Sequence, residues 1–371
     1  MSRPLFVTRP MLPDLSELDI MMKEIWRTQF VTNGGPYHEQ LEIALRGTLG
    51  VPTVKLFNNG TIALLAALKL FDLPEGSEVI TTPLTFAATA HAIHWNGLRP
   101  VFVDVSPDTL TLDPGSVEKA ITPMTSAILG VHVYGTVCDV AALQQIADHH
   151  GLRLLYDAAH AFGTTINRRA VAEFGDASVF SFHATKLFTT LEGGAIATPR
   201  LSDGDTLYFL RNFGIKNEEE VISIGINGKM NEVQAAIGLL NLPGVSSERS
   251  ARSRLRSKYD AALGGLPGVR LQPSQKDVSQ SEQYYPLTIN PELFGRTRDT
   301  IYEALKAIGI MSRKYFHPIC TDFVPYRDFP ITSTRNIPYV TEVKSQVLCL
   351  PFYGGVTDED VEDIRMVFHR K

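Results

Sequence analysis

Only three cysteines, Cys138, Cys320 and Cys349, occur in the 371 residues. They are too few and too scattered for a disulfide framework or a zinc site, so buried, unreactive thiols in a reducing compartment are expected. No apolar run approaches the roughly 20 residues that span a bilayer. The opening MSRPLFVTRPMLPDL has no apolar core followed by a small-residue cleavage site. A cytoplasmic chain without a membrane partner is therefore expected. Positive charge is not in excess either: 35 Lys and Arg stand against 40 Asp and Glu, a net charge of -5, which argues against a nucleic-acid partner. Neither GxGxxG nor GxxxxGK[ST] stands in the strand–helix region, which lowers the dehydrogenase and NTPase readings. His91 and His94 lie three apart on one helical run with no third ligand, so no metal is expected.

What the chain does have is alternation. Val54–Phe57, Glu78–Thr82, Arg99–Val105, Ala127–Tyr134, Arg153–Ala159, Ala177–His183 and Gly194–Thr198 read as strands, most of them apolar throughout. Between them lie helical patterns such as TIALLAALKLF from residue 61 and DVAALQQIADHH from residue 139. Such alternation predicts an α/β fold, a mainly parallel sheet with helices on both sides and ligands beyond the carboxyl ends of the strands. A helix near Asp14–Arg27 precedes this region. After about residue 240 the pattern changes: SSERSARSRLRSKYDAAL predicts a long exposed helix, broken by Gly264, Gly265, Pro267 and Gly268. Strands at Tyr284–Asn290 and Gln346–Phe352, helices at Thr297–Ile308 and Asp358–His369, and a loop-rich stretch to about residue 344 complete the expectation. Residues 1–240 read as a large domain with its N-terminal segment, and 241–371 as the long helix with a smaller α+β domain.

Two strand ends carry unusual side chains. Asp157 ends one apolar run and is followed by His160; Ser181 ends another, with Lys186 in the following turn. A carboxylate there is costly to bury without a partner. Taken singly, each is most simply a surface lysine or a loop-capping aspartate. Together they match the needs of pyridoxal 5'-phosphate, which takes a lysine as its anchor and a carboxylate against its ring nitrogen. Gly60 and Thr61, at the start of a strongly helical run, can form an anion cradle. Phe86 can stack on the ring, with core packing as the plainer alternative.

These segments resemble the sugar aminotransferases of the DegT/DnrJ/EryC/StrS group, a branch of the fold-type I pyridoxal-phosphate enzymes. The likeness runs through VTNGGPYHEQLE (31–42), TTPLTFAATAHAIHWNGLRPVFVDV (81–105), VHVYG, YDAAHAFG, SFHATK, LEGGAIAT, GINGKMNEVQAAIGLL (225–240), RKYFHPIC and LPFYGGVTDEDVEDI. It implies a mixed, mainly parallel seven-stranded sheet with a smaller C-terminal domain. It also implies roles: Lys186 as the Schiff-base lysine, Asp157 as the pyridinium partner and His160 beside the phenolic oxygen. Gly60, Thr61 and Ser181 would hold the phosphate, Phe86 would stack on the ring, and Asn227 would reach the phosphate from a neighbouring subunit, which makes a homodimer with shared sites. Sugar dehydratases of the wider family carry histidine where this chain has Lys186, so transamination is expected.

Substrate follows from the same likeness. VTNGGP, SFHATK and GINGKM are most similar to enzymes acting on dTDP-4-keto-6-deoxy-D-glucose with L-glutamate as donor, and in particular to those yielding dTDP-4-amino-4,6-dideoxy-D-glucose. Amination at C3, as in dTDP-3-amino-3,6-dideoxyhexose synthesis, and a GDP-perosamine-type synthase stay open. So does the use of the product, in an O-antigen or a glycosylated natural product. Arg313, Tyr315, His317, Lys216 and Lys229 are the candidates for the nucleotide-sugar. A non-catalytic regulator that binds the cofactor or a nucleotide-sugar, and a pyridoxal enzyme of another reaction type, are the competing classes.

Overall fold

The computed structural model describes residues 4–327 and 337–370. Part of the loop-rich stretch expected before residue 344, residues 328–336, lies outside them. In chain order the principal elements of the first part are α1 (Leu15–Thr28), α2 (Pro36–Leu49), β1 (Thr53–Phe57), α3 (Gly60–Lys69), β2 (Glu78–Thr81) and α4 (Ala87–Trp95). They continue with β3 (Arg99–Phe102), α5 (Pro114–Ala120), β4 (Thr125–Val131), α6 (Val140–His150), β5 (Arg153–Asp157), β6 (Ala177–Ser181) and β7 (Gly194–Thr198). The second part holds α7 (Asp203–Arg211), α8 (Glu232–Asn241), α9 (Val245–Leu263), β8 (Val269–Leu271), β9 (Tyr285–Ile289), α10 (Arg298–Ala307), β10 (Val347–Leu350) and α11 (Asp358–His369).

The seven predicted runs form one seven-stranded sheet in the order β1-β7-β6-β5-β4-β2-β3. Strands β3, β2, β4, β5 and β6 pair in parallel, and β7 runs antiparallel to both β6 and β1. Burial on both faces explains the unbroken apolar runs: Val79, Ile80, Ile128, Leu129, Leu154 and Leu155 are all fully buried. Several predicted strands run too far. Ala127–Tyr134 stops as a strand at Val131, because Val133–Gly135 form a 3-10 turn in which Tyr134 takes φ 60°.

Local signals set the helices. Asp139 caps α6 by accepting from the Ala142 amide, and Gly151 ends it at φ 65°. Helix α2 does not stand out in the sequence, although Pro36 opens it. Its buried face includes His38 and Glu42, which blur the apolar stripe. Glu42 is ion-paired to Lys55 (3.3 Å) and Arg211, and it accepts the Leu56 amide, so α2, β1 and α7 are tied by one buried charge cluster. Burial pulls His38 down to about 4, so it is neutral there.

A second, three-stranded antiparallel sheet, β8-β9-β10, has its own core. Tyr259, Leu263, Ile301, Leu305, Leu348 and Ile364 belong to it. Helix α9, expected to be exposed, buries one stripe of Arg252, Leu255, Tyr259 and Leu263. The arginine-rich spelling hides this stripe, because Arg252 is buried by pairing with Glu248 (2.7 Å) and donating to the Glu282 and Gln283 carbonyls. Leu5–Phe6 pairs in parallel with Ile310–Met311, joining the start of the described chain to this half. Among the described residues no helix is long and apolar enough to cross a membrane.

Candidate active site

A cavity of about 560 Å³ opens beyond the carboxyl ends of β1, β2, β4, β5 and β6. The loop after β1 supplies Asn58 to Thr61, the loop after β2 supplies Thr85 and Phe86, and β5 with its following loop supplies Asp157 and His160. Ser181, His183 and Lys186 come from the end of β6 and its turn, and Tyr284, Tyr315 and Phe316 close the wall from the second part of the chain.

The floor on one side is a helix start. Asn59 caps α3, its side chain accepting the Ile62 amide at 2.8 Å, which leaves the earlier first-turn amides without an intrahelical partner. Close packing fixes this turn. A Cβ on Gly60 would sit 2.9 Å from the Ser181 Cβ, and one on Gly194 would sit 2.7 Å from the Asn59 backbone. The Ser181 hydroxyl and the α3 amides therefore meet at one spot that suits an anion.

On the other side stands the ionisable pair. Asp157 is 7 % exposed. Its Oδ2 accepts the Thr89 hydroxyl at 2.8 Å and its Oδ1 accepts the Ala159 amide at 3.1 Å. Burial raises its pKa, opposed by those two bonds and by the charge of Lys186. Burying a lone carboxylate costs several kcal/mol, and each bond to its charged form returns about 1.5–3 kcal/mol. Burial also lowers the Lys186 amine to about 8, against the pull of Asp157. The lysine turn is clamped by Gln283, whose Oε1 accepts the Leu187 amide (2.7 Å) while its Nε2 donates to the Thr185 carbonyl (2.9 Å).

His160 is held on three sides. Its Nδ1 accepts the Tyr134 amide at 3.1 Å, and since a backbone N–H can only donate, the proton of the neutral ring lies on Nε2. Burial keeps it neutral by pushing its pKa well down, with Lys186 acting the same way. Tyr284 meets its ring edge-on at 5.0 Å and Phe316 lies parallel at 6.0 Å.

Of the residues singled out from sequence, Lys186, Asp157, His160, Gly60, Thr61, Ser181, Phe86 and Tyr315 line this one cavity. Phe86, at the N-cap of α4, keeps 62 % of its surface exposed. Asn227, Lys216, Lys229, Arg313 and His317 do not line it. Asn227 bridges Asn212 at the root of an excursion between α7 and α8. Lys229 Nζ bonds Asn212 at 3.0 Å, and Lys216 pairs with Glu220 at 2.7 Å on the same excursion. Arg313 exchanges backbone bonds with Cys349 and is exposed, as is His317. Sequence reasoning missed Thr85, Thr89, Gln283, Tyr284 and Phe316. Thr85, just before α4, and Thr89, within it, stand in a quoted motif, but nothing in the local pattern announces their distant partner.

Pyridoxal phosphate asks for an amine, a carboxylate and an anion cradle. The cavity offers Lys186 with a lowered pKa, a buried Asp157 with both oxygens fixed, and a helix start where a Cβ at Gly60 would fill the space next to Ser181. The residues fit the group. Residues 15–368 match the DegT/DnrJ/EryC1/StrS aminotransferase family. The chain is 42 % identical over 361 residues to the dTDP-4-amino-4,6-dideoxy-D-glucose transaminase of Escherichia coli, covering 96 % of each. It is 33 % identical over 354 residues to the GDP-perosamine synthase of Caulobacter vibrioides, covering 95 % of this chain and 94 % of the other. The crystal structure of DesI, solved in the presence of its TDP-sugar product, superposes with a TM-score of 0.92 at 36 % identity, over 100 % of this chain and 94 % of that one. The chain thus belongs to the DegT/DnrJ/EryC1/StrS family, whose members are pyridoxal-phosphate-dependent sugar aminotransferases.

Proposed function

We propose that this enzyme transfers the amino group of L-glutamate to C4 of dTDP-4-keto-6-deoxy-D-glucose, giving dTDP-4-amino-4,6-dideoxy-D-glucose. The observation that carries the reading is the 42 % identity, over 96 % of both chains, to a transaminase named for that product. The 33 % identity to a GDP-perosamine synthase is weaker support for the GDP-linked alternative.

When bound, pyridoxal phosphate supplies an electron sink for the pair left when the α-proton of the donor is removed. Lys186 takes that proton and later returns one, acting as base and then acid; a pKa near 8 leaves part of the amine neutral at neutral pH. Asp157 would hold the ring nitrogen in its protonated form. The Tyr134 amide on Nδ1 leaves His160 Nε2 as a donor, which would serve the cofactor's phenolic oxygen. The α3 amides at Gly60 and Thr61 and the Ser181 hydroxyl would hold the phosphate, and the exposed ring of Phe86 would pack against the cofactor.

The working form is a homodimer. Among the described residues that line the cavity, Lys186 is the one Lys or Arg, whereas the nucleotide diphosphate and the donor are anionic. The excursion between α7 and α8 that carries Asn227, Lys216 and Lys229 exposes Phe213, Val221, Ile222 and Ile224, the last at 87 %. An apolar surface of this kind marks an interaction site. A second copy seated on it would bring Asn227 to the phosphate and Lys216 and Lys229 towards the anionic substrates, while Tyr315, Arg313 and His317 would meet the nucleotide-sugar from the cavity's own chain. Release of 2-oxoglutarate from glutamate, measured with the dTDP-linked and the GDP-linked 4-keto sugars in turn, tests the substrate. A kcat/KM at least tenfold higher with the dTDP sugar is expected, and a preference for the GDP sugar would overturn the reading.

A further inference from the structure

Asp157 sits in an apolar frame. Its register partners on the neighbouring strands are Val131 and Val179. The donors to its carboxylate are the Ala159 amide on its own loop and the Thr89 hydroxyl on α4, 68 positions away in sequence. An ionised carboxylate accepts only, so Thr89 gives its proton to Oδ2. The Thr89 oxygen can then accept from Thr85, whose hydroxyl lies 2.8 Å away, four residues back in the loop before α4 and at the cavity wall. Both threonines are buried, Thr89 fully. The result is a chain of two hydroxyls polarised in one direction, Thr85 to Thr89 to Asp157, and such chains strengthen their last bond.

We propose that Thr89, backed by Thr85, is a positioning residue of the amino transfer: its hydroxyl holds the Asp157 carboxylate in one orientation and in its charged form against the cofactor's ring nitrogen. The inference rests on the reading of Asp157 as the partner of that nitrogen. One oxygen is turned to Thr89 and the other to Ala159, which blocks rotation about the terminal bond and leaves fixed lone pairs facing the cavity that Asp157 lines. Burial works against the charge and the Thr89 bond works for it. Lys186, from the turn after β6, is the charged group acting on the carboxylate, and His160 is the titratable group on its own loop. Helix α4 contributes the hydroxyl, and Val131 and Val179 contribute no charge.

The test is the affinity of the apoprotein for pyridoxal phosphate as a function of pH, with the absorption spectrum of the bound cofactor, in the wild type, Thr89→Val, Thr89→Ser, Thr85→Val and Asp157→Asn. Thr89→Val keeps the side-chain shape and removes the hydroxyl. Its affinity at neutral pH should fall about tenfold, the weight of one hydrogen bond to a charged acceptor. The acid edge of the binding profile should move up by roughly one pH unit, because a carboxylate that loses a donor takes up its proton at higher pH. Thr89→Ser should restore both values. Thr85→Val should move both in the same direction by less, and it serves as the test if Thr89→Val does not fold. Wild-type affinity, pH edge and spectrum in Thr89→Val, with Asp157→Asn impaired, would overturn the role of Thr89 alone. Equal impairment in Thr89→Ser and Thr89→Val would also overturn it. Wild-type behaviour in Asp157→Asn would remove the reading of Asp157 beneath it.

Discussion

The cavity wall and the excursion between α7 and α8 are built on opposite plans. At the wall, Asp157, His160, Ser181 and Lys186 come from strand ends of one sheet, buried or half-buried and cross-bonded by neighbours such as Thr89, Tyr134 and Gln283. On the excursion, Asn227, Lys216 and Lys229 bond to nearby side chains or backbone, and their apolar neighbours Val221, Ile222 and Ile224 face outward. The wall is preorganised by a single chain. In the proposed dimer the excursion gains its role only against a second copy, so damage to the two regions should have different signatures.

The largest effect is expected at the wall. Lys186→Ala should keep the far-UV circular dichroism of the wild type and lose turnover by about 10⁴-fold or more, as expected when the one group serving as acid and base is removed. Asp157→Asn comes next: shape is conserved, the charge is lost, and kcat should fall by about 10²-fold, the order of one electrostatic contact realised at the reacting centre. On the excursion, Ile224→Asp should leave the isolated fold intact, because that side chain is almost fully exposed. It should shift sedimentation towards the monomer and weaken cofactor affinity by about tenfold, with activity recovering at high protein concentration. Full activity in a variant that sediments as a monomer would dissolve the contrast between the two regions.

The smallest effect is one of pH. The Lys186 amine is lowered to about 8 by burial, against an ordinary value of 10.5. The neutral amine is the nucleophile, so the rate at which the apoprotein takes up pyridoxal phosphate should rise with pH, about tenfold per unit, and level off above about 8. A rate still climbing at pH 10 would mean that the lysine is not buried as described. Asp157→Asn removes the charge that opposes the lowering, so the plateau should begin at still lower pH.

Much of the wall was legible in the sequence because each part is announced locally. Asp157 closes the apolar run Leu154–Tyr156, Lys186 lies in the turn after the strand that ends at Ser181, and Gly60 and Thr61 open a helical run. The seven strands were readable for the same reason, since strands covered on both faces lose their polar alternation. What stayed hidden depends on distant partners. Thr89 acts on a residue 68 positions away, and Gln283 clamps Leu187 across 96; nothing in the local pattern of either marks it. Helix α2 was obscured because Glu42 is buried with Lys55 and Arg211. The buried stripe of α9 was obscured because Arg252 is neutralised by Glu248. Charged residues that fold inward with their partners look, one at a time, like surface.

The identity of the product decides the proposed reaction most directly. The purified enzyme would be incubated with pyridoxal phosphate, ¹⁵N-labelled L-glutamate and dTDP-4-keto-6-deoxy-D-glucose, and the nucleotide-sugar examined by NMR. An equatorial ¹⁵N-amine at C4, with 2-oxoglutarate formed in equal amount, is the result expected. An axial amine at C4, or an unchanged sugar beside glutamate that has lost its label to the protein-bound cofactor, would contradict it.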